Sequence, residues 1–216
     1  MHQQLTESPA HASDTARVRG EQKARRVASY AKRTFDLVLG IFSLPLLSIV
    51  MGVIAVAVKL TSKGPILYWS DRVGRDNRIF RMPKFRTMNL GTPEVATHLL
   101  SDPETHLTII GSFLRRTSLD ELPQIYSVLM GDLSFVGPRP ALHNQHDLVA
   151  LRTERGVHEL TPGLTGWAQV NGRDDLPIRL KVEYDCEYLR KKKFLLDLKI
   201  LCLTFLRVIR RDGVAH

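Results

Sequence analysis

The sequence predicts a mainly helical α+β fold: a kinked N-terminal membrane helix that enters and leaves by one leaflet, followed by a small domain with a short β-hairpin and amphipathic interfacial helices. Three observations carry this prediction. From Leu37 to Val58 run 22 residues without a charge, with Pro45 near their middle. Both flanks of that run are basic. Beyond it the chain mixes two short strand-like runs with helical periodicities, the last of them in Phe194 to Arg211.

Residues 1–31 read as a mobile basic segment, poor in large apolar side chains and too polar for a secretory signal. Residues 32–216 read as one domain, with the membrane helix at about 36–60 and the rest at about 61–216. As a helix the uncharged run would be about 33 Å long at ~1.5 Å per residue, enough to cross a bilayer. Pro45 removes the donor that the Ile41 carbonyl would accept from, and the Ser43 and Ser48 hydroxyls can bond back one turn, so Pro45 and Ser48 mark a break. A helix that crosses once should be basic mainly on its cytoplasmic side. Here Arg25, Arg26, Lys32 and Arg33 precede the run, and Lys59, Lys63 and Arg72 follow it. A helix returning to the cytoplasmic face satisfies the proline and both flanks; a simple crossing helix and a buried core helix are the alternatives.

After the membrane run, Ile66–Trp69 and Arg78–Arg81 read as a hairpin around "DRVGRDN". Asn89–Thr108 reads as a polar connector, and residues 141–157 as an exposed helix of mixed charge. Phe194–Arg211 is apolar with a polar stripe through Asp197, Thr204, Arg207 and Arg211; it either faces a core or lies in the membrane interface with arginines toward lipid phosphates.

The net charge of +9 asks for a negative partner: nucleic acid, an anionic lipid surface or a phosphorylated substrate. Nucleic acid fits poorly, because aromatics are only 7% and the apolar run has no use in such a protein. The two cysteines, Cys186 and Cys202, form no CxxC pair, and no metal cluster is visible.

In this basic chain "TSLDELPQIY" places Asp120 beside Glu121. Two readings of the pair stand. Ser118 and Glu121 have the spacing of a capping box, which would make the pair an ordinary helix start, although Pro123 blurs where that helix begins. Alternatively, adjacent carboxylates can hold Mg²⁺ with substrate phosphates, and an ionised Asp can attack phosphorus. Cations are available for the second reading. Arg139 sits in "GPRP" between two prolines, "KFRTM" adds Lys84 and Arg86, and "TPGLTGWAQVNGR" ends in Arg173 after three glycines, a loop that would let backbone approach a ligand.

Taken in order, "KRTFD", "DRVGR", "PKFRTM", "LRRTSLDELPQ", "GDLSFVGPRP", "PGLTGWAQVNGR" and "FLLDLKI" resemble the bacterial sugar transferases known as small monotopic phosphoglycosyl transferases, from about Lys32 to the C-terminus. The resemblance implies an enzyme at the cytoplasmic face of the bacterial inner membrane. It would move a sugar 1-phosphate from a UDP-sugar to undecaprenyl phosphate and release UMP, in an exopolysaccharide, O-antigen or glycoprotein pathway. It also implies Mg²⁺ as cofactor at Asp120 and Glu121, Asp120 as nucleophile, and Arg115, Arg139 and Arg173 as phosphate or nucleotide contacts, with Lys84 beside them. A homodimer is left open. The competing functions are a non-catalytic membrane-anchored scaffold and a UDP-sugar hydrolase that uses water as acceptor.

Overall fold

The computed structural model describes residues 9–93, 103–172 and 176–210. Contacts divide the chain into residues 1–35 and residues 36–216. Helix α1 spans Pro9–Thr61, so it includes residues 9–31 of the basic lead. The composition explains this: apart from Gly20, the segment from Ala16 to Lys32 is dominated by Ala, Arg, Lys, Glu and Gln, which are good helix formers or close to it.

Pro45 interrupts the hydrogen-bond ladder of α1 without ending the helix. The nearby serines bond back as expected: the Ser43 hydroxyl donates to the Gly40 carbonyl at 2.8 Å and the Ser48 hydroxyl to the Pro45 carbonyl at 2.9 Å. A narrow stripe of α1 meets the rest of the domain. Leu44, Leu47 and Met51 pack against Met82, Ile125, Val128 and Leu133, and Ile54 and Val58 against Phe85 and Leu114. The 3-4-3-4 spacing of those five α1 residues is that of one helical face.

The other faces of α1 are apolar and uncovered; Phe42 is 81% exposed, and Leu46, Ile49 and Val53 are exposed with it. Only 11% of the most apolar window within Ser29–Thr61 is buried. A core helix of a water-soluble domain would be mostly covered, so this surface suits hydrocarbon. The apolar part of α1 is tied to the domain at its start through Asp36, buried and accepting from the Phe135 amide at 3.2 Å. Its exit is tied by Arg86, which donates to the carbonyls of Pro65 (2.7 Å) and Ser62 (3.2 Å) and to the Ser62 hydroxyl (2.9 Å). A guanidinium is well placed there, where a helix leaves carbonyls without intrahelical donors.

The expected hairpin forms and is longer than the sequence suggested. Strand β1 (Leu67–Val73) pairs antiparallel with β2 (Ile79–Phe85) over the whole of both strands, from Leu67 opposite Phe85 to Val73 opposite Ile79. The turn holds Asp76 and Asn77 at φ of 55° and 59°, a region those two residue types tolerate. The short β4 (Ala141–Leu142) adds to the free edge of β1. In the connector, Pro103–His106 forms one 3₁₀ turn and Met88 bridges Leu107.

The helical part starts at α2 (Gly111–Arg116), followed by a 3₁₀ segment Leu119–Gln124 and α3 (Ile125–Met130). Strand β3 (Ser134–Val136) runs parallel to β5 (Gly163–Thr165), with α4 (His146–Glu154) between them. Helices α5 (Trp167–Gly172), α6 (Ile178–Lys191) and α7 (Phe194–Arg210) complete the domain.

Two helices differ from what their sequences suggest. Helix α4 is not simply an exposed helix, since Leu148 and Arg152 are buried in it. In α7 the polar stripe faces the protein and no interface: Asp197 accepts from the Tyr188 hydroxyl at 2.7 Å, Thr204 pairs with Thr165 at 2.7 Å, and Arg207 donates to the Gln169 carbonyl at 3.3 Å. Ile200 is fully buried on that side, while Leu195 (76% exposed), Phe205 and Leu206 turn an apolar face outward. Arg211 lies outside the described residues.

Candidate active site

The backbone around the acidic pair is set by a residue in an uncommon conformation. Ser118 has φ of 55°, and its hydroxyl makes no capping hydrogen bond. The capping box suggested by its spacing to Glu121 therefore does not form, because a left-handed Ser118 does not direct its side chain at the first turn; only its carbonyl accepts, from the Glu121 amide at 3.2 Å. Pro123 sits inside the 3₁₀ segment, and α3 begins two residues later. The pair is not the start of a regular α-helix.

The two carboxylates have different surroundings. Glu121 is engaged on both oxygens: Oε1 accepts from Lys84 Nζ at 2.7 Å and Arg139 Nη2 at 2.7 Å, and Oε2 from Arg139 Nη1 at 3.4 Å. Burial on its own would raise the Glu121 pKa, but the facing Arg139 and Lys84 cations outweigh it and hold the carboxyl well below the usual range. Asp120 is 7% exposed, and no described residue donates a hydrogen bond to its carboxylate. Burial pushes its pKa up to about 6; Glu121 adds to the rise, while Lys84, Arg115 and Arg139 pull against it. The result is one carboxylate locked in an ion-pair cluster and a neighbour that accepts from no described residue yet lies within reach of three cations.

Each cation comes from a different element. Lys84 is on β2, Arg115 at the end of α2, and Arg139 in the turn between β3 and β4. Arg115 Nε donates to the Thr87 hydroxyl at 3.1 Å and Nη2 to Met88 Sδ at 3.6 Å. Burial lowers the Arg115 pKa, opposed by Asp120 and Glu121. The structure thus brings together Lys84, Arg115, Asp120, Glu121 and Arg139. Arg173 lies outside the described residues. Arg86, the second cation of "KFRTM", belongs to the exit of α1 and not to this cluster.

The glycine-rich segment also differs from its sequence reading. Residues 163–165 are strand β5 and 167–172 helix α5, so the segment is not a loop. Its glycines admit protein backbone: a Cβ on Gly163 would run into the Gly137 amide nitrogen, and one on Gly166 into the Gly137 carbonyl oxygen. Trp167 packs on the core and donates from its indole to Glu187 at 2.8 Å. What the glycines serve is the close seating of "GPRP" against β5, and through it the placement of Arg139.

Sequence reasoning missed Arg152 and Asp185. Arg152 Nε and Nη2 donate to Asp185 Oδ2 at 2.9 and 2.7 Å, and Arg152 Nη1 donates to the Arg139 carbonyl at 2.8 Å. A signal was present: Arg152 lies one turn after Leu148, and Asp185 lies beside Cys186 and one turn after Val182, so both occupy the apolar faces of their helices. A charge in an apolar stripe is the informative exception.

Mg²⁺ usually takes one or two protein carboxylates together with substrate phosphates and water. Among the described residues no group of three or more His, Cys, Asp or Glu side chains could hold a metal ion. The donor set fits an ion brought in with a diphosphate, and it fits unevenly: Asp120 has oxygens to give, whereas those of Glu121 are taken by Lys84 and Arg139.

Comparison with known proteins places this arrangement in a family. The family described as "Bacterial sugar transferase" matches residues 27–211. A sugar transferase of Bacillus subtilis, EpsL, itself uncharacterized, is 42% identical over 185 residues, which are 85% of this chain and 89% of that protein. A UDP-glucose:undecaprenyl-phosphate glucose-1-phosphate transferase of Xanthomonas campestris is 42% identical over 187 residues, 83% of this chain and 39% of that protein. One of the same name from Escherichia coli is 41% identical over 180 residues, 80% of this chain and 39% of that protein. The chain therefore spans well under half the length of the two relatives that are named for a reaction. The matched region holds every residue of the acidic and basic cluster, and the chain belongs to the bacterial sugar transferase family of phosphoglycosyl transferases.

Proposed function

We propose that this protein transfers a sugar 1-phosphate from a UDP-sugar to undecaprenyl phosphate and releases UMP, at the cytoplasmic leaflet of the bacterial inner membrane. The observation that carries the reading is the inequality of the two carboxylates: a buried Asp120 with no hydrogen-bond donor among the described residues, beside a Glu121 that gathers Lys84 and Arg139. The relatives named above support the substrate class, and the uncovered apolar surface of α1 supports a lipid acceptor. A re-entrant α1 fits Pro45 and the two basic flanks, and it would keep the cluster near lipid headgroups.

In the proposed reaction an Asp120 carboxylate oxygen attacks the phosphorus that bears the sugar. The bond from that phosphorus to the bridging oxygen breaks, and UMP leaves with the bond's electron pair. An oxygen of undecaprenyl phosphate then attacks the same phosphorus, and the Asp120 carboxylate is the second leaving group. The product is a lipid-linked diphosphosugar. Asp120 can act in this way because no donor among the described residues occupies its oxygens. Lys84, Arg115 and Arg139 neutralise phosphate charge that builds up at the leaving group, an electrostatic contribution that is large in a partly dehydrated site. Glu121 orients Lys84 and Arg139 and keeps them from collapsing onto Asp120 before substrate arrives. Asp120 is the side chain that would hold Mg²⁺, which would supply further charge neutralisation for the phosphates.

The scaffold reading leaves the buried Asp120 carboxylate unexplained, because a carboxylate buried with no hydrogen-bond donor among the described residues costs stability and a scaffold has no use for it. The test is UMP release from a panel of UDP-sugars, beginning with UDP-glucose, in nanodiscs with Mg²⁺, with and without undecaprenyl phosphate. Sustained release that requires the lipid is expected. Equal sustained release without lipid would make the protein a UDP-sugar hydrolase, and no release from any donor would favour the scaffold.

A further inference from the structure

The "GPRP" turn has an unusual hydrogen-bond inventory. Pro138 and Pro140 fix their own φ angles but bring no N–H, so the direction of Arg139 depends on how the two peptide planes around its α-carbon are held. The plane before it is held by backbone: the Pro138 carbonyl accepts from the Gly163 amide at 2.9 Å. The plane after it ends at the nitrogen of Pro140, leaving the Arg139 carbonyl as that plane's one hydrogen-bonding group. That carbonyl accepts from Arg152 Nη1 at 2.8 Å. The next carbonyl, of Pro140, accepts from Arg72 at 3.3 Å.

Arg152 is itself fixed. It is 7% exposed, and its other two donors share Asp185 Oδ2, whose residue is 1% exposed on α6. A guanidinium in this geometry is a rigid fork, with one prong left for the carbonyl. The chain of contacts runs Asp185, Arg152, the Arg139 main chain, the Arg139 side chain and Glu121.

We infer that Arg152, oriented by Asp185, is a positioning residue: it fixes the peptide plane after Arg139 and so aims that guanidinium at Glu121 and at the donor diphosphate. The inference rests on the transferase reading for its effect on rate, but its geometric content stands apart from it. The lever is long. A peptide-plane rotation of roughly 10° moves a guanidinium about 1 Å, and misplacement of that size can cost about 10²-fold in rate. A neutral pair of similar size would hold α4 to α6 equally well, so a buried pair is not needed for packing alone.

The experiment is a double-mutant cycle on UMP release, with melting temperature recorded for every variant. The first arm is Arg152→Met with Asp185→Leu, which removes the clamp without orphaning a buried charge. The second is Arg152→Lys, which keeps a cation opposite Asp185 but has no fork to share with the carbonyl. Each is made alone and together with Arg139→Ala. In the Arg139 background each arm is expected to lower kcat about 10- to 100-fold with little change in melting temperature. In the Arg139→Ala background the same change should add less than about 3-fold, because the residue being aimed is already gone. Equal losses in both backgrounds would make the pair merely structural and overturn the inference, and so would unchanged kcat in both arms. If the wild type itself shows no turnover, the transferase reading falls separately. The inference is then decided by a crystal structure of the Arg152→Met, Asp185→Leu variant. Arg139 leaving Glu121 upholds it, and Arg139 unmoved overturns it.

Discussion

Asp120→Asn is expected to abolish lipid-dependent UMP release and, above about pH 6, to make the folded protein more stable. Loss of turnover follows from loss of the nucleophile, and a fall of more than about 10³-fold is expected when a group that acts covalently is removed. The gain in stability follows from burial. In the folded protein the Asp120 pKa is raised from 3.8 to about 6. A carboxyl with a raised folded pKa binds its proton more tightly in the native than in the unfolded chain. Native stability therefore falls as pH rises from about 4 through 6, and stays lower above that. A neutral amide escapes this cost, which is about 1–3 kcal/mol for a shift of this size. Melting temperatures of wild type and variant at pH 4.5 and pH 8 check the claim: the variant should gain at pH 8 and show a smaller difference at pH 4.5. A loss at pH 8 would mean that Asp120 is held in place by favourable contacts, against its assignment as a free and poised carboxylate.

For Glu121→Gln the signs are reversed. Glu121 balances Lys84 and Arg139, and its depressed pKa means that it contributes stability above the ordinary carboxylate range, lost as pH falls below it. The amide removes the carboxylate that Lys84 and Arg139 share, and a loss on the order of 1–3 kcal/mol is expected at pH 7. Turnover should fall about 10²-fold as the two cations lose their alignment. The pH profile gives a more specific sign. In the wild type, kcat/KM should rise with pH and level off above about 6 as Asp120 ionises. The Glu121 charge is one of the causes that raise Asp120, so in Glu121→Gln the acid limb should move to lower pH even as the plateau drops. A limb that moves upward would show that losing the aligned cations matters more at Asp120 than losing the neighbouring negative charge.

Much of this was legible in the sequence because it depends on local signals. The 22-residue uncharged run, the turn residues between β1 and β2, and the acidic pair in a basic chain are all short-range features. Lys84, Arg115 and Arg139 do come together around the acidic pair, and Arg115 was singled out only through the resemblance. What the sequence hid is long-range. Lys84 lies on β2 and Arg86 just past its end, yet Arg86 clamps the exit of α1 and Lys84 meets Glu121, a division set only by what packs above each. The glycines near residue 163 looked like a ligand loop because glycine permits close approach; that the approaching backbone is Gly137 is a fact of tertiary pairing. Ser118 had the right spacing for a cap and the wrong φ. In α7 a polar stripe on an apolar helix suggested polar-out packing; the inversion follows from partners at Tyr188 and Thr165 and from an outward face that water does not explain.

The claim that matters most is that Asp120 carries the sugar phosphate. Intact-protein and peptide mass spectrometry of the wild-type protein, mixed with its UDP-sugar and Mg²⁺ in the absence of undecaprenyl phosphate, tests it directly. A mass increase of one sugar phosphate is expected on the peptide containing Asp120, formed with one equivalent of UMP and discharged when undecaprenyl phosphate is added. UMP release that needs the lipid from the first turnover, with no adduct on any peptide, would mean that the lipid phosphate attacks the donor directly and would contradict the role given to Asp120.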